Sequence, residues 1–302
     1  MSGAVLRWEG VSRSFHGTTA LDGLTLEVPA GSVFGLLGRN GTGKTTAIRI
    51  LLGLLRPDAG RSEVLGEDSL TLSRGVRQRI GYLSEESFPY ADLEMPSLLR
   101  FVSAFFERWD MDRCERLARR MEVRRDVPLK EMSLGERRRA ELFLALAQDP
   151  EILVLDDPWL GLDAVARRDF LEAALEAARE EGKTLLFTSH VLTDVERIVD
   201  RVAILQDGRL RTASALDDLK ERTKRVILDL PGGGDGAGIV VPGEVARRRE
   251  AGSLVIVTEG WSPGLEARLS AGGAEVRVED LNLEEMFLEL TRGPARSGGA
   301  AA

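Results

Sequence analysis

The stretch that decides the fold is Gly38-Arg39-Asn40-Gly41-Thr42-Gly43-Lys44-Thr45, which has the spacing Gly-x4-Gly-Lys-Thr. A short apolar run, 32–37, precedes it, and apolar residues recur at helical spacing after it, from Ile48 to Leu55. This strand-loop-helix context favours a phosphate-binding loop over a glycine-rich turn that happens to contain a lysine. Backbone N–H groups of such a loop, and the positive end of the helix that follows, surround a nucleotide phosphate. Lys44 adds a positive charge, and the Thr45 hydroxyl is a ligand for Mg²⁺ between the β- and γ-phosphates.

Composition indicates a globular chain with one large and one small domain. The 302 residues are 43% hydrophobic, which is enough for a sizeable core. The net charge of -8 leaves no basic surplus, so we expect no nucleic-acid partner. No apolar run approaches the roughly 18 residues of a membrane-spanning helix, and residues 1–4 do not resemble a signal peptide, so we expect a cytoplasmic location. The single cysteine, Cys114, excludes an internal disulfide and a cysteine-based metal site.

The order of apolar patterns predicts an α/β fold. Two alternating segments near the start, 5–8 and 24–28, are expected to pair as antiparallel strands. Patterns between about residues 96 and 148 are helical, and the short buried strands around this segment follow the rhythm of a parallel sheet. A glycine-rich break at 231–236 then indicates a separate accessory domain, whose last helix has Asn282 as its expected N-cap.

These patterns predict three regions. They are a main domain at 1–222 with a helical insert at about 88–148, an accessory domain at 223–292, and a disordered Gly/Ala/Ser tail at 293–302.

Carboxylates follow the apolar strand 152–155, at Asp156 and Asp157. A buried strand delivers acids to a site at its carboxyl end, where Asp156 is expected to hold Mg²⁺ through water. Asp163 follows within a few residues, and His190 comes directly after the next predicted strand. A histidine at a strand end is often structural, but its place after Thr-Ser beside these acids favours a functional role.

Together with Ser133-Leu134-Gly135-Glu136 at the start of a helix, these motifs resemble the ATP-binding cassette (ABC) ATPases in order and spacing, from residue 4 to about 215. The resemblance implies a P-loop NTPase fold, with a RecA-like core, an antiparallel β subdomain and a helical insert, followed here by a small α+β domain. It also implies that ATP and Mg²⁺ bind between two cassettes arranged head to tail.

The resemblance assigns roles to individual residues. Phe15 matches the aromatic residue that stacks on adenine, and Gly38 to Thr46 match the Walker A loop. Glu85 lies where the family has the Q-loop residue that senses Mg²⁺ and the membrane partner. The signature motif, which binds the partner protomer's ATP, falls on Ser133, Gly135 and Glu136. Asp156 ends Walker B, Asp163 matches the D-loop, and His190 matches the switch histidine at the γ-phosphate.

Plainer interpretations of some residues stay open. Ser133 could be only an N-cap, with Glu136 completing a capping box, although a hydroxyl and N–H groups at a helix N-terminus also bind anions. Phe15 could simply pack at a strand end. The run Arg137-Arg138-Arg139 could be a solvated face.

Three departures from the family pattern bear on function. Asp157 stands where the family has the glutamate that orients or deprotonates the attacking water, so we expect slow hydrolysis. Leu134 and Glu136 replace the usual Gly and Gln of the signature, and Glu85 replaces the Q-loop glutamine. These changes resemble the single-cassette ATPases that serve drug and antibiotic exporters, as do segments 105–110 and 280–287.

Aromatic residues are concentrated between 88 and 109. They are Phe88, Tyr90, Phe101, Phe105, Phe106 and Trp109. One face of a predicted helix would contain Leu98, Phe101, Val102, Phe105 and Trp109. This face either packs within the helical insert or meets a helix of a membrane subunit.

The sequence therefore predicts the ATPase subunit of an exporter, which dimerises with itself or with a second ATPase and is held at the inner face of the membrane by a separate permease. A slow or non-hydrolysing ATP switch is the alternative. A soluble ABC ATPase of DNA repair or translation fits less well, because the chain has one cassette, an acidic balance and the exporter-like C-terminal segment. A GTPase or kinase is excluded, since an Asn-Lys-x-Asp motif is missing and Asp156 lies 112 residues after Lys44.

Overall fold

A computed structural model provides the structure of the chain. It describes residues 3–86, 90–159, 161–180, 182–189, 191–230, 236, 238–271 and 273–292. The chain divides into two compact units, 1–210 and 211–302. The domain boundary expected at 222/223 lies inside the second unit, and the predicted tail at 293–302 lies outside the described residues.

Five strands of a six-stranded sheet form the centre of the first unit. The sheet has the order β10 (Arg209–Ala215), β9 (Arg201–Gln206), β3 (Val33–Leu37), β8 (Thr184–Ser189), β7 (Ile152–Leu155) and β6 (Ile80–Leu83). The pairs from β9 to β6 are parallel. Strands β3, β7 and β8 are buried along their whole length, as their continuous apolar sequences predict. The carboxyl ends of these strands therefore meet at one edge, where the polar segments follow.

A second, antiparallel sheet belongs to the same unit. Its order is β2 (Thr18–Pro29), β1 (Ala4–Phe15), β4 (Ala59–Val64) and β5 (Glu67–Asp68). The predicted antiparallel pairing of the first two strands is confirmed, with Trp8 opposite Leu26. Trp8 is buried in a core shared by both sheets, and its indole N–H donates to the carbonyl of Ala47, 3.0 Å away. This contact fixes the antiparallel sheet to the helix that follows the phosphate loop.

Seven helices are described in the first unit: α1 (Lys44–Leu51), α2 (Arg74–Arg77), α3 (Met95–Ser103), α4 (Met111–Arg120), α5 (Leu134–Ala147), α6 (Ala164–Glu180) and α7 (Leu192–Val195). Helix α1 ends earlier than its apolar spacing predicts. Gly53 has a φ of 69°, and a Cβ there would lie 2.1 Å from the Ser69 carbonyl oxygen, so the chain turns before Leu55. None of the helices in the described part of the chain combines the length and hydrophobicity that a membrane crossing requires.

The aromatic helix face is also shorter than predicted. Helix α3 ends at Ser103, so Phe105 and Trp109 do not lie on it. The reason is that the Phe105 carbonyl accepts hydrogen bonds from Arg74 (3.1 Å) and Gln78 (2.9 Å), which hold this segment against α2 and its C-terminal end. Phe88 lies outside the described residues.

The second unit is an antiparallel α+β domain. Its sheet has the order β12 (Glu244–Glu250), β13 (Ser253–Thr258), β11 (Lys224–Asp229) and β14 (Glu275–Asp280), and its helices are α8 (Leu216–Arg222), α9 (Pro263–Ala271) and α10 (Leu283–Thr291). Asn282 is the N-cap of α10, as predicted, because its side-chain oxygen accepts from the N–H of Glu285 at 2.9 Å.

Candidate nucleotide-binding site

A cavity of about 380 Å³ lies at the carboxyl edge of the parallel sheet. Its lining residues are Ala20, Asn40, Gly41, Gly43, Lys44, Thr45, Thr46, Glu85, Asp157 and Thr188. Eight of these ten were singled out from the sequence, and they come from three separate motifs. The cavity therefore brings the phosphate loop, the Q-loop position and the acid after Asp156 together.

The loop conformation depends on two glycines. Gly43 has a φ of 99°, and a Cβ there would lie 2.3 Å from the carbonyl oxygen of Ala20. A Cβ at Gly38 would meet the Thr42 hydroxyl at 2.4 Å and the carbonyl oxygen of Leu205 at 2.9 Å. A side chain at either position would push the loop away from its neighbours. Glycine is therefore needed at both positions because a Cβ would clash, and at Gly43 also because of the positive φ.

Lys44 is held inside the loop. Its ammonium donates to the carbonyl oxygens of Gly38 at 2.8 Å and Arg39 at 3.1 Å. Burial lowers the pKa of Lys44, while the nearby charges of Asp157, Asp156 and Glu85 act in the opposite direction. The result is a desolvated cation at the cavity wall, where an anion would replace part of the lost hydration.

Asp156 connects the loop to the sheet. Its Oδ1 accepts hydrogen bonds from the hydroxyls of Thr45 (3.2 Å) and Thr188 (2.8 Å). Burial raises the pKa of Asp156; these two hydrogen bonds lower it, and the charges of Glu85 and Asp157 raise it further. The other oxygen, Oδ2, is buried and accepts no hydrogen bond from the residues that the structure describes.

These donors fit a magnesium ion. Mg²⁺ prefers oxygen ligands and is usually held by one or two protein groups together with substrate phosphates. A buried carboxylate oxygen beside the Thr45 hydroxyl supplies such ligands, and Glu85 lies on the same cavity. The described ranges contain no group of three or more His, Cys, Asp or Glu residues that could hold a metal ion.

Asp157 adopts an uncommon backbone conformation. Its φ is 44°, its N–H donates to the Thr188 hydroxyl at 2.8 Å, and its residue surface is only 7% exposed. Aspartate tolerates the left-handed region better than most residues, because its short polar side chain bonds locally. In this conformation Asp157 lies on the wall of the cavity.

Thr188 also lines the cavity, although no sequence motif singled it out. Its hydroxyl bonds both neighbouring acids, to Oδ1 of Asp156 and to the N–H of Asp157. A signal was present in the sequence, because Asp156 and Thr188 each come directly after a predicted buried strand. The structure pairs Leu155 with Phe187 in parallel register, so the residues that follow them are neighbours.

The signature residues and the D-loop aspartate lie at helix starts. Ser133 and Glu136 form the capping box of α5, with Glu136 accepting from the N–H of Ser133 at 2.8 Å. Asp163 caps α6, accepting from the N–H of Ala166 at 2.9 Å. Neither these residues nor Gly135 lines the cavity of their own chain. His190 lies outside the described residues.

Phe15 ends β1 at the tip of a hairpin and is 40% exposed. It does not line the cavity, although Ala20 from the same hairpin does. The Arg13 guanidinium lies 4.8 Å from the centre of its ring and is paired with Asp58 at 2.6 Å. An exposed ring supported on one side is suited to stacking, and simple core packing does not account for it.

The interpretation of the arginine run as a solvated face is wrong for Arg138. This residue is 6% exposed and pairs with the equally buried Glu141 at 2.9 Å. Its guanidinium also donates to the main chain of the segment that contains Glu85. The buried acid three residues later, which is unusual in an apolar helix, was the available signal.

Comparison with known proteins agrees with this geometry. The sequence pattern of the ABC transporter family matches residues 21–160. The daunorubicin resistance ATP-binding protein DrrA3 of Streptomyces coeruleorubidus is 32% identical over 100% of both chains. The chain belongs to the ABC transporter family. It is an ABC ATP-binding protein with a P-loop NTPase fold, as predicted.

Other relatives match this ABC protein over different shares of their length. The Nod factor export ATP-binding protein I of Paraburkholderia xenovorans is 32% identical over 96% of this chain and 98% of its own. An uncharacterised ABC transporter ATP-binding protein of Synechocystis is 35% identical, but the match covers 71% of this chain and only 62% of that protein.

Solved structures show the same cassette. An ATP-binding subunit of an ABC transporter has a TM-score of 0.64 and 27% identity, covering 72% of this chain and 92% of its own. A dimeric bacterial ABC transporter cassette has a TM-score of 0.63 over 70% of this chain and 98% of its own, and at 20% identity it supports the fold alone.

Proposed function

We propose that this ABC protein is the ATP-hydrolysing subunit of an exporter and drives a separate membrane permease. The observation that carries the proposal is the convergence of Lys44, the Thr45–Asp156 pair and Asp157 on one cavity. Full-length similarity to an export ATP-binding protein and to a drug-resistance ATP-binding protein supports the transport direction and the kind of system.

Each group in the cavity has a role in this proposal. Lys44 neutralises the β- and γ-phosphates of ATP, and the loop N–H groups orient them. Thr45 and Asp156, with Glu85 nearby, would hold Mg²⁺, which neutralises charge on the phosphates when it is bound. Asp157 accepts a proton from the attacking water or orients it. The hydroxyl of Thr188 keeps the two aspartates at a fixed separation.

We further propose that two cassettes enclose two ATP molecules. In this arrangement Ser133 and Gly135 of one chain approach the γ-phosphate in the other, which accounts for their distance from the cavity of their own chain. A helix N-terminus with a hydroxyl is a suitable anion site for this purpose. Asp163 and His190 would complete the composite site. The second cassette is either an identical chain or another ATPase.

The aromatic surface of the helical insert is the proposed contact with the permease. The rings of Tyr90, Phe101 and Phe105 contact one another in sequence, tilted and then edge to face, with centroid separations of 5.0 and 5.2 Å. Phe105 is 60% exposed, and Leu93 adds to the same exposed set. Exposed aromatic clusters of this kind mark protein contacts, and this one supports the proposal that a membrane partner holds the protein at the inner face of a membrane.

The proposal is tested by ATP binding and single-turnover hydrolysis with Lys44→Ala. The variant should bind Mg-ATP at least tenfold more weakly, because a buried, charge-assisted contact to phosphate is lost. Lys224→Ala is the matched control, since it removes an ion-paired lysine in the second unit. Equal ATP affinities for the wild type and Lys44→Ala would refute the nucleotide site. Tight binding without detectable turnover, in the presence of the permease, would favour the switch.

A further inference from the structure

Arg138 lies inside the first unit, about one and a half turns of α5 after Ser133. Its Nη1 donates to the carbonyl oxygen of Ser84 at 3.0 Å, and its Nη2 donates to the carbonyl oxygen of Glu85 at 2.9 Å. A single guanidinium therefore holds two consecutive peptide units directly after strand β6. Glu85 itself lines the nucleotide cavity.

The charge of Arg138 is balanced inside the protein. Nη1 also donates to the carboxylate of Glu141 at 2.9 Å, and both side chains are less than a tenth exposed. Each partner would be costly to bury alone. The planar fork of arginine can reach a carboxylate and two carbonyl groups in fixed directions, which the compact ammonium of lysine cannot reproduce.

Helix α5 is fixed to β6 at its other end as well. The side-chain amide of Gln148 donates to the carbonyl oxygen of Ile80 at 2.7 Å. Between these points the helix approaches so closely that a Cβ on Gly81 would lie 2.6 Å from the carbonyl oxygen of Ala145. Helix and strand therefore form one packed body. Arg138 extends this body beyond the strand end to the Glu85 peptide.

A second contact of the same segment, an ion pair with α1, is weaker. Glu86 pairs with Arg49 of α1, and both side chains are more than a third exposed. Exposed pairs of this kind contribute little. The buried arginine is accordingly the stronger of the two described attachments for the backbone that carries Glu85.

We infer that Arg138 is a positioning residue for Glu85. It holds the Glu85 backbone so that the carboxylate faces the nucleotide cavity, and it does so from the helix whose first turn contains Ser133. A displacement of that first turn is thereby passed to the nucleotide cavity of the same chain. The inference rests on the proposed nucleotide site and on the role of Glu85 within it.

The test compares Arg138→Lys with Glu85→Ala, which removes the oxygen ligand altogether, and with the double variant. Arg138→Lys keeps a cation beside Glu141 but removes the fork between the two carbonyls. We expect a melting temperature within a few degrees of the wild type and an ATP affinity without Mg²⁺ within about twofold. Single-turnover hydrolysis should fall about ten- to a hundredfold, the scale of a 1 Å misplacement.

Non-additivity separates positioning from folding. If Arg138 acts through Glu85, the double variant should hydrolyse ATP no more slowly than the slower single variant, within about twofold. Mg²⁺ should improve ATP affinity less in each single variant than in the wild type, and equally little in the double variant. Arg137→Lys is the matched control, because Arg137 donates to the carbonyl oxygens of Leu129 and Lys130 away from the cavity.

Two outcomes would overturn the inference, and they differ. If Glu85→Ala lowers hydrolysis but Arg138→Lys does not, or if their effects multiply in the double variant, Arg138 does not position Glu85. If Glu85→Ala changes neither turnover nor the Mg²⁺ dependence, the proposed role of Glu85 fails, and the inference fails with it. The Lys44→Ala result is independent of both.

Discussion

Replacing Asp157 by glutamate separates the enzyme from the switch. The aspartate carboxylate is one methylene shorter than the glutamate expected by resemblance, so it stands roughly 1 Å further from a water at the γ-phosphate. An extra distance of that size slows hydrolysis about ten- to a hundredfold, which corresponds to a barrier higher by about 1.4 to 2.8 kcal/mol. We expect slow hydrolysis by the wild type and faster hydrolysis by Asp157→Glu.

The backbone adds an opposing effect on stability. Asp157 has a φ of 44°, a region that costs most residues about 1–2 kcal/mol and aspartate less. Asp157→Glu should therefore lower the melting temperature by a few degrees while it raises the rate. Asp157→Asn is the matched control, because asparagine tolerates this conformation equally well but cannot accept a proton.

Single-turnover hydrolysis of radiolabelled ATP by the three proteins, at saturating Mg-ATP, measures the effect. The expected order of rates is glutamate, aspartate, asparagine. Equal rates in all three would remove Asp157 from the chemistry. A wild type without activity, together with an active Asp157→Glu variant, would make the protein a switch.

Two further outcomes follow from contacts outside the cavity. Phe15→Ala should weaken ATP binding about tenfold in calorimetry, and Arg13→Gln should weaken it by a smaller factor. Neither variant should change the affinity for inorganic triphosphate, which has no base. An equal loss of affinity for triphosphate would contradict base stacking. Burial raises the pKa of Glu141, and the nearby charges of Arg138 and Arg137 oppose that rise. Ionised Glu141 is therefore destabilising, and its cost in unfolding free energy grows as pH rises from the ordinary pKa through the raised one. Arg138→Met should therefore lose about 3 kcal/mol of unfolding free energy at pH 8 and less near pH 5 in urea titrations, and a loss independent of pH would refute this account.

The parts of the site that sequence could predict are those encoded within a few consecutive residues. The phosphate loop and the acid pair after β7 each follow from a short motif whose spacing is set by backbone geometry. The ends of α1 and α3 could not be predicted in this way. The end of α1 depends on Gly53 packing against Ser69, and the end of α3 depends on the hydrogen bonds from Arg74 and Gln78 to the Phe105 carbonyl. Both are contacts between segments that are far apart in sequence. Arg138 was misinterpreted for the same reason.

Thr188 links the two acids whose roles the Asp157 variants separate. Because its one hydroxyl donates to Asp156 and accepts from the N–H of Asp157, strand β8 fixes the spacing between the proposed magnesium ligand and the proposed base. The Thr188 hydroxyl accepts from the backbone N–H of Asp157, so a longer side chain at residue 157 leaves this hydrogen bond in place. A rate change in Asp157→Glu therefore reports the reach of the carboxylate, whereas a change at Thr188 would disturb both acids together.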